Sequence, residues 1–291
     1  MKLLSKKIVS VLLFSCSSLA FSNGLQTANM LFEQRGDDYG SQSQGQLAKK
    51  AREAYIQSLR SGLSMEDQDI AWKRLAQLYL LEDSLLEAND ANARKAIFKE
   101  CEDLVEQISP NKNRELSKNY YYMRGSCSGL YAQKGSLLDK LIRISVFTGQ
   151  KGKSKSLIDQ AYDAGAENYF GGGIYRVYAG VYMDPSAKAV NFYKPEMALE
   201  YIRKAFDIDS DDQGLSGNDY CENHHFLMKT LLLQPNNMKA EAKEAAQNAI
   251  KHFESTIDTN GVVSIGKNIP LLKVETPLCM KKIYNLLGTI K

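Results

Sequence analysis

Histidine occurs only three times in this chain, as His224, His225 and His252, and tryptophan only once. So few imidazoles leave little material for general acid–base work. No G-x-S-x-G elbow accompanies them, which removes the usual serine-hydrolase arrangement. Cys221, Glu222, His224 and His225 do put metal-capable groups within five residues. Adjacent histidines diverge on a helix, however, and no second ligand cluster occurs elsewhere, so the pattern predicts no metal site. "DIDSDDQG", from Asp207 to Gly214, resembles a calcium loop without the glutamate at its twelfth position and reads as an acidic helix end. No cofactor is expected.

Charge of one sign is lacking too. The formal excess of +3 is carried by Lys2, Lys6 and Lys7, and beyond residue 22 the acidic and basic residues balance. A neutral chain gives no reason to expect a nucleic acid or an anionic membrane surface as partner.

Long apolar runs are absent as well. The most apolar stretch, "IVSVLLF", is far shorter than the ~20 residues that span a bilayer. It lies between the basic "MKLLSKK" and the small-residue "SCSSLAFS", so residues 1–22 read as a secretory signal. Two cleavages fit. Ser18-Leu19-Ala20 suits ordinary signal peptidase, whereas "LFSC" resembles a lipobox and would leave a lipid on Cys16. Both predict export, with that lipid as the sole membrane attachment.

Four cysteines then remain, Cys101, Cys127, Cys221 and Cys279, an even number suited to an oxidising compartment. They allow three complete pairings. Nearness in sequence favours Cys101–Cys127 and Cys221–Cys279, and unpaired buried thiols are the other reading.

What is present in quantity is helical periodicity. Residues 23–46 are polar and rich in glycine, serine and glutamine, and read as a flexible linker. From Leu47 the pattern changes. Leu47, Ala51, Ala54, Tyr55 and Leu59 form a stripe at spacings of three and four. Ser64, three residues before Asp67, caps the next helix. There Trp72, Leu75, Ala76 and Tyr79 match W-x2-L-G-x2-Y, the first-helix signature of the tetratricopeptide repeat, with alanine for glycine. "ANARKAIFKECEDLVEQIS" supplies the second helix. Tyr175, Tyr178, Ala179 and Tyr182 repeat the first-helix offsets, followed by Ala198, Ile202 and Ala205 at second-helix spacing. A looser third pair has Phe226, Thr230 and Leu233, then Ala242, Ala246 and Ala249; Lys229 occupies a position that should be apolar. Between the repeats, Gly125 and Gly129 suggest close helix approach. The expected fold is all-α: a single tetratricopeptide-like superhelix over residues 47–291, with a short strand- or turn-like segment, "TIDTNGVVSIGKNIPLLKVETP", near the end.

One stretch could carry chemistry: "FGGGIYRVYAGVY", Phe170 to Tyr182. A phosphate cradle needs a strand before the glycines and a lysine after them. Here the upstream "KSLIDQAYDAGA" is helical and no lysine follows Gly173, so Gly171, Gly172 and Gly173 read as a backbone turn. Arg176 could orient a carboxylate in a groove, or cap or pair with a neighbouring helix. The sixteen tyrosines of the chain, Tyr175, Tyr178 and Tyr182 among them, serve either as core or as the wall of a ligand groove.

"AGAENYFGGGIYRVYAGVY", with the later "PEMALEYIRKAFDI", resembles the T-component (TatT) family of tripartite ATP-independent periplasmic (TRAP) transporters. The similarity extends through "NYYYMRGSCSGLYA" and "PLCMKKIYNLLG", roughly Leu47 to Leu287. Here "NFYKPEMA" stands where relatives tend to have paired glycines. The resemblance implies a periplasmic, often lipid-anchored helical protein that assists a solute-binding subunit in moving small or hydrophobic ligands. The expectation is therefore a non-enzymatic adaptor or binding protein. Its partners would be a solute-binding subunit, a small hydrophobic or anionic ligand, or further copies of the chain. The alternative is an envelope scaffold that joins proteins without a small-molecule site.

Overall fold

The computed structural model of the chain describes residues 24–39, 41–86, 90–108, 118–134, 153–185, 188, 191–211, 213–236, 238–254, 272 and 274–290. Among them all regular structure is helical: α1 (24–33), α2 (Gln46–Ser61), α3 (Met65–Leu85), α4 (Ala91–Gln107), α5 (Lys118–Lys134), α6 (Lys153–Asp163), α7 (Gly173–Tyr182), α8 (Pro195–Phe206), α9 (Cys221–Leu232), α10 (Lys239–His252) and α11 (Glu275–Thr289), with a 3-10 turn at Gly217–Asp219. None of these helices is long and apolar enough to cross a membrane. The signal segment with Cys16 lies outside the described residues, as does most of the strand-like segment, whose last residues, 275–277, open α11.

Local sequence sets the helix ends. Ser64 accepts the backbone N–H of Asp67 at 3.1 Å and so caps α3. Gly165, in the left-handed region at φ 78°, follows α6, and Pro195 opens α8 where its missing N–H is harmless.

The apolar stripes then fix the packing. Trp72, Leu75, Ala76 and Tyr79 are all buried, as are Ala198, Ile202 and Ala205 on α8 and Ala242, Ala246 and Ala249 on α10. Alanine at these positions lets neighbouring helices approach while aromatic and leucine side chains fill the flanking grooves. α2 packs on α3, α4 on α5, α5 on α6, α7 on α8 and α9 on α10. The first matched repeat departs from its template, because α3 packs chiefly on α2 and α5 rather than on α4. α4 is fastened instead to α5, by Cys101–Cys127 (Cα–Cα 5.7 Å). Close approach of α5 and α6 needs Gly125: a Cβ there would lie 2.9 Å from the Leu157 carbonyl oxygen.

Where composition suggests a linker, residues 24–39 are folded onto the core. α1 buries Leu25, Ala28 and Phe32, and Asn29 accepts a hydrogen bond from the Tyr55 hydroxyl at 2.6 Å. The stripe has the required spacing, but Met30, which is exposed, and Leu31 blur it, so no single face stands out by pattern. Beyond α1, Arg35 meets Glu275 and Gly36 lies against Val274. α11 is also tied to α9 by Cys221–Cys279 (Cα–Cα 6.0 Å) and reaches α3, where Lys282 meets Ser84 at 3.3 Å. The stack of helix pairs therefore curls until its two ends touch.

Candidate functional site

The glycine trio is a turn into α7 in which each glycine faces a different wall. Gly171 and Gly172 have φ of 54° and 82°, in the left-handed region that favours glycine. A Cβ on Gly171 would lie 2.1 Å from the Tyr220 ring, one on Gly172 2.8 Å from the Ala205 methyl, and one on Gly173 2.2 Å from the Tyr122 hydroxyl. The preceding residue, Phe170, also has positive φ, at 51°.

Arg176 reaches back from the first turn of α7 to hold this strained backbone. Its guanidinium donates to the carbonyls of Phe170 (2.7 Å) and Gly171 (3.1 Å) and to Oδ1 of Asn223 (2.6 Å). Asn223, fully buried on α9, donates in turn to the carbonyls of Gly171 (2.9 Å) and Gly217 (2.7 Å). The Tyr220 ring lies 5.7 Å beneath the guanidinium. Of the two roles read for Arg176, the geometry supplies the helix brace, since its donors are aimed at backbone and Asn223 rather than into a groove. Asn223 carries no signal in sequence, standing unremarked between Glu222 and His224.

The tyrosines separate from that knot and form a wall. Tyr178 and Tyr182 project from α7 and stack on Tyr201 of α8, with centroids 4.7 and 5.8 Å apart and planes inclined by only 17° and 4°. Tyr175 adds itself at 6.2 Å from Tyr201, Tyr162 of α6 lies 6.2 Å from Tyr175, and Phe192 closes the other end 6.2 Å from Tyr182. The row is graded. Tyr178 and Tyr182 are buried, Tyr175 and Tyr201 half-buried, and Tyr162 is 44% exposed. Tyr201, the centre of the wall, is missing from the sequence reading. Its spacing of three from Ala198 and four from Ala205 sets it on the edge of the inward stripe, which was its one signal.

Electrostatics keeps these phenols neutral. Burial pushes all four stacked hydroxyls up, Tyr175 to about 12, and Tyr178 rises further because its O–H donates to Oδ1 of Asp159 at 2.7 Å. Lys155 pairs with the same carboxylate and lies 5.0 Å from the Tyr178 ring. Neutral phenols serve as apolar contact with a hydrogen-bonding rim, not as nucleophiles at physiological pH.

The metal-like run is dispersed. Cys221 is consumed by its disulfide, His224 packs between Phe206 and Phe253, and His225 turns towards Glu222. In the acidic loop, Asp211 points inward and accepts the N–H groups of Gln213 and Leu215.

Set against known proteins, the chain matches no family model and no curated protein.

Proposed function

We propose that this protein is a non-enzymatic, exported helical adaptor that docks another protein on the tyrosine wall of α6–α8. The observation that carries the reading is the graded row Tyr162–Tyr175–Tyr201–Tyr182, buried at one end and open at the other. Such rings offer large contact area at small conformational cost, and tyrosine is enriched at protein interfaces. The resemblance to the TRAP T-component suggests a solute-binding subunit of a transporter as the partner, in the periplasm, with residues 1–22 directing export and Cys16 as the point of lipid attachment.

The engagement of Arg176 in the turn favours a protein over a small anion at this face, because the cation that would orient an anion is already used. Hydrophobic ligand contact along the same wall is compatible with the adaptor role.

The test is co-purification. The tagged protein, recovered from its own cell envelope, should bring down a solute-binding protein, and Tyr201→Ala with Tyr162→Ala should lose it while the helical circular dichroism is kept. Recovery of the same partner in equal amount by that double variant would remove the wall from the interface. Capture of no solute-binding protein would remove the transporter link.

A further inference from the structure

Closure of the helix stack brings together charged side chains from five helices, none of them part of the tyrosine wall. α3 contributes Asp83 and Ser84, α4 Arg94, α5 Lys134, α9 Glu222 and Lys229, and α11 Lys282. The two carboxylates are occupied. Asp83 receives Nε and NH2 of Arg94 at 2.7 and 2.8 Å, and Glu222 receives Lys282 at 2.9 Å, with His225 3.4 Å away. That leaves two ammonium groups with weaker compensation. Lys134 stands 3.8 Å from the already paired Asp83. Lys229 makes no ion pair among the described residues and has only the Phe226 ring, 5.6 Å from its nitrogen.

Lys229 is also the residue that breaks the repeat pattern, a lysine where the first helix of the third pair should be apolar. Half-buried ammonium groups beside other cations are destabilising unless something negative joins them. Their acidity records this. Burial pushes Lys134 down to about 8, with Arg94, Lys229 and Lys282 adding to the shift against the pull of Asp83. Burial lowers Lys229 too, with Lys282 and Arg94 assisting and Glu222 and Asp184 opposing.

We propose that the junction where α11 returns to α3 is a binding site for a small oxyanion, a carboxylate or phosphate group, held between Lys134 and Lys229 with Arg94 and Lys282 flanking. The site does not depend on the adaptor reading, because it shares no residue with the tyrosine wall. It exists only when the stack is closed, so an anion bound there would also fasten α5 and α9 across the junction.

Isothermal titration calorimetry on the disulfide-bonded protein, at fixed ionic strength and pH 7, tests it with inorganic phosphate and with succinate, against sodium chloride as control. One or both anions should bind with 1:1 stoichiometry and raise the melting temperature. Lys229→Met and Lys134→Met should each weaken binding at least tenfold. Neither should lower the melting temperature of the unliganded protein, since each removes a half-buried charge set beside other cations. Binding of phosphate alone assigns the site to phosphate groups, of succinate alone to carboxylates. Heat no greater than the chloride control for both anions, or equal affinity in wild type and both variants, overturns the proposal. Should either variant fail to fold, the wild-type titration and the remaining variant decide.

Discussion

Arg35 holds Glu275 through two hydrogen bonds, Nε to Oε1 at 3.0 Å and NH2 to Oε2 at 3.2 Å, across 240 residues of sequence. The arginine is 2% exposed and also donates to the Phe32 carbonyl, while the Phe32 ring lies 4.2 Å beneath it. Cutting one side of a buried, hydrogen-bonded pair leaves the other charge without its partner, at about 3 kcal/mol. Arg35→Ala should therefore destabilise the whole molecule by about that amount in urea titration. Removing residues 24–39 should cost more, since Phe32 and Leu25 leave the core with the pair. Unchanged urea midpoints for both would mean that the chain ends are not joined in solution.

The turn before α7 gives a second measurement. Arg176→Ala removes charge-assisted hydrogen bonds to the Phe170 and Gly171 carbonyls and to Asn223. Bonds of this kind contribute roughly 1.5–3 kcal/mol each, not additively, so a loss of about 3 kcal/mol is expected. Arg176→Lys should recover little, because a point charge cannot span three acceptors. A variant of native stability that fails only in binding would return Arg176 to a ligand role.

Glycine substitutions separate steric need from helix propensity. Gly171→Ala places a methyl on the Tyr220 ring at positive φ and should cost about 2–4 kcal/mol. Gly288→Ala, in α11 with nothing within 4 Å of the added carbon, should be stabilising by up to about 1 kcal/mol. Thermal denaturation of the two variants reads both signs at once.

These two sites also show what sequence can and cannot carry. The helices were legible because Trp72, Tyr79, Ala198 and Ala246 recur at intervals that a helix turns onto one face. The turn nature of Gly171–Gly173 was legible because a phosphate cradle needs a strand and a lysine that are missing. The use of Arg176 was not, since its partner Asn223 lies 47 residues away and nothing local marks it. α1 was missed for a related reason: its anchor, the bond from Tyr55 to Asn29, joins it to α2 across 26 residues, and nothing local marks Asn29. Lys229 was visible as an exception to the repeat, but its meaning required knowing which charges α4, α5 and α11 bring beside it.

The disulfides should matter unequally. In the chain-entropy account a cross-link contributes more as the loop it closes lengthens, about 3.5 kcal/mol for a separation of 26 and about 4 kcal/mol for 58. Cys221–Cys279 in addition holds α11, and with it the meeting of the chain ends. Replacing that pair by alanines should lower stability more than replacing Cys101 and Cys127, and should increase hydrogen exchange in α1 as well as in α11. Equal losses, with exchange confined to α11, would show that closure does not rely on the bond.

Acid should weaken the protein through His224. The imidazole is 7% exposed, between Phe206 and Phe253, and its Nε2–H donates to the Asn218 carbonyl at 3.0 Å. Burial, together with the neighbouring His252, lowers it to about 4 from the usual 6.5, against the Asn218 hydrogen bond and Asp219. The folded form therefore keeps the ring neutral, while the unfolded chain takes up a proton near pH 6.5. Stability is fully present above pH 6.5, falls as the pH drops towards 4, and levels off below, a total of about 3 kcal/mol from this residue. His225, also lowered by burial, acts in the same direction, with Glu222 opposing it. Urea midpoints measured from pH 7 to pH 4 should follow that decline in the wild type. In His224→Gln, which keeps an N–H donor but does not titrate, the slope should flatten. An unaltered slope in the variant would show that the acid sensitivity belongs to other groups.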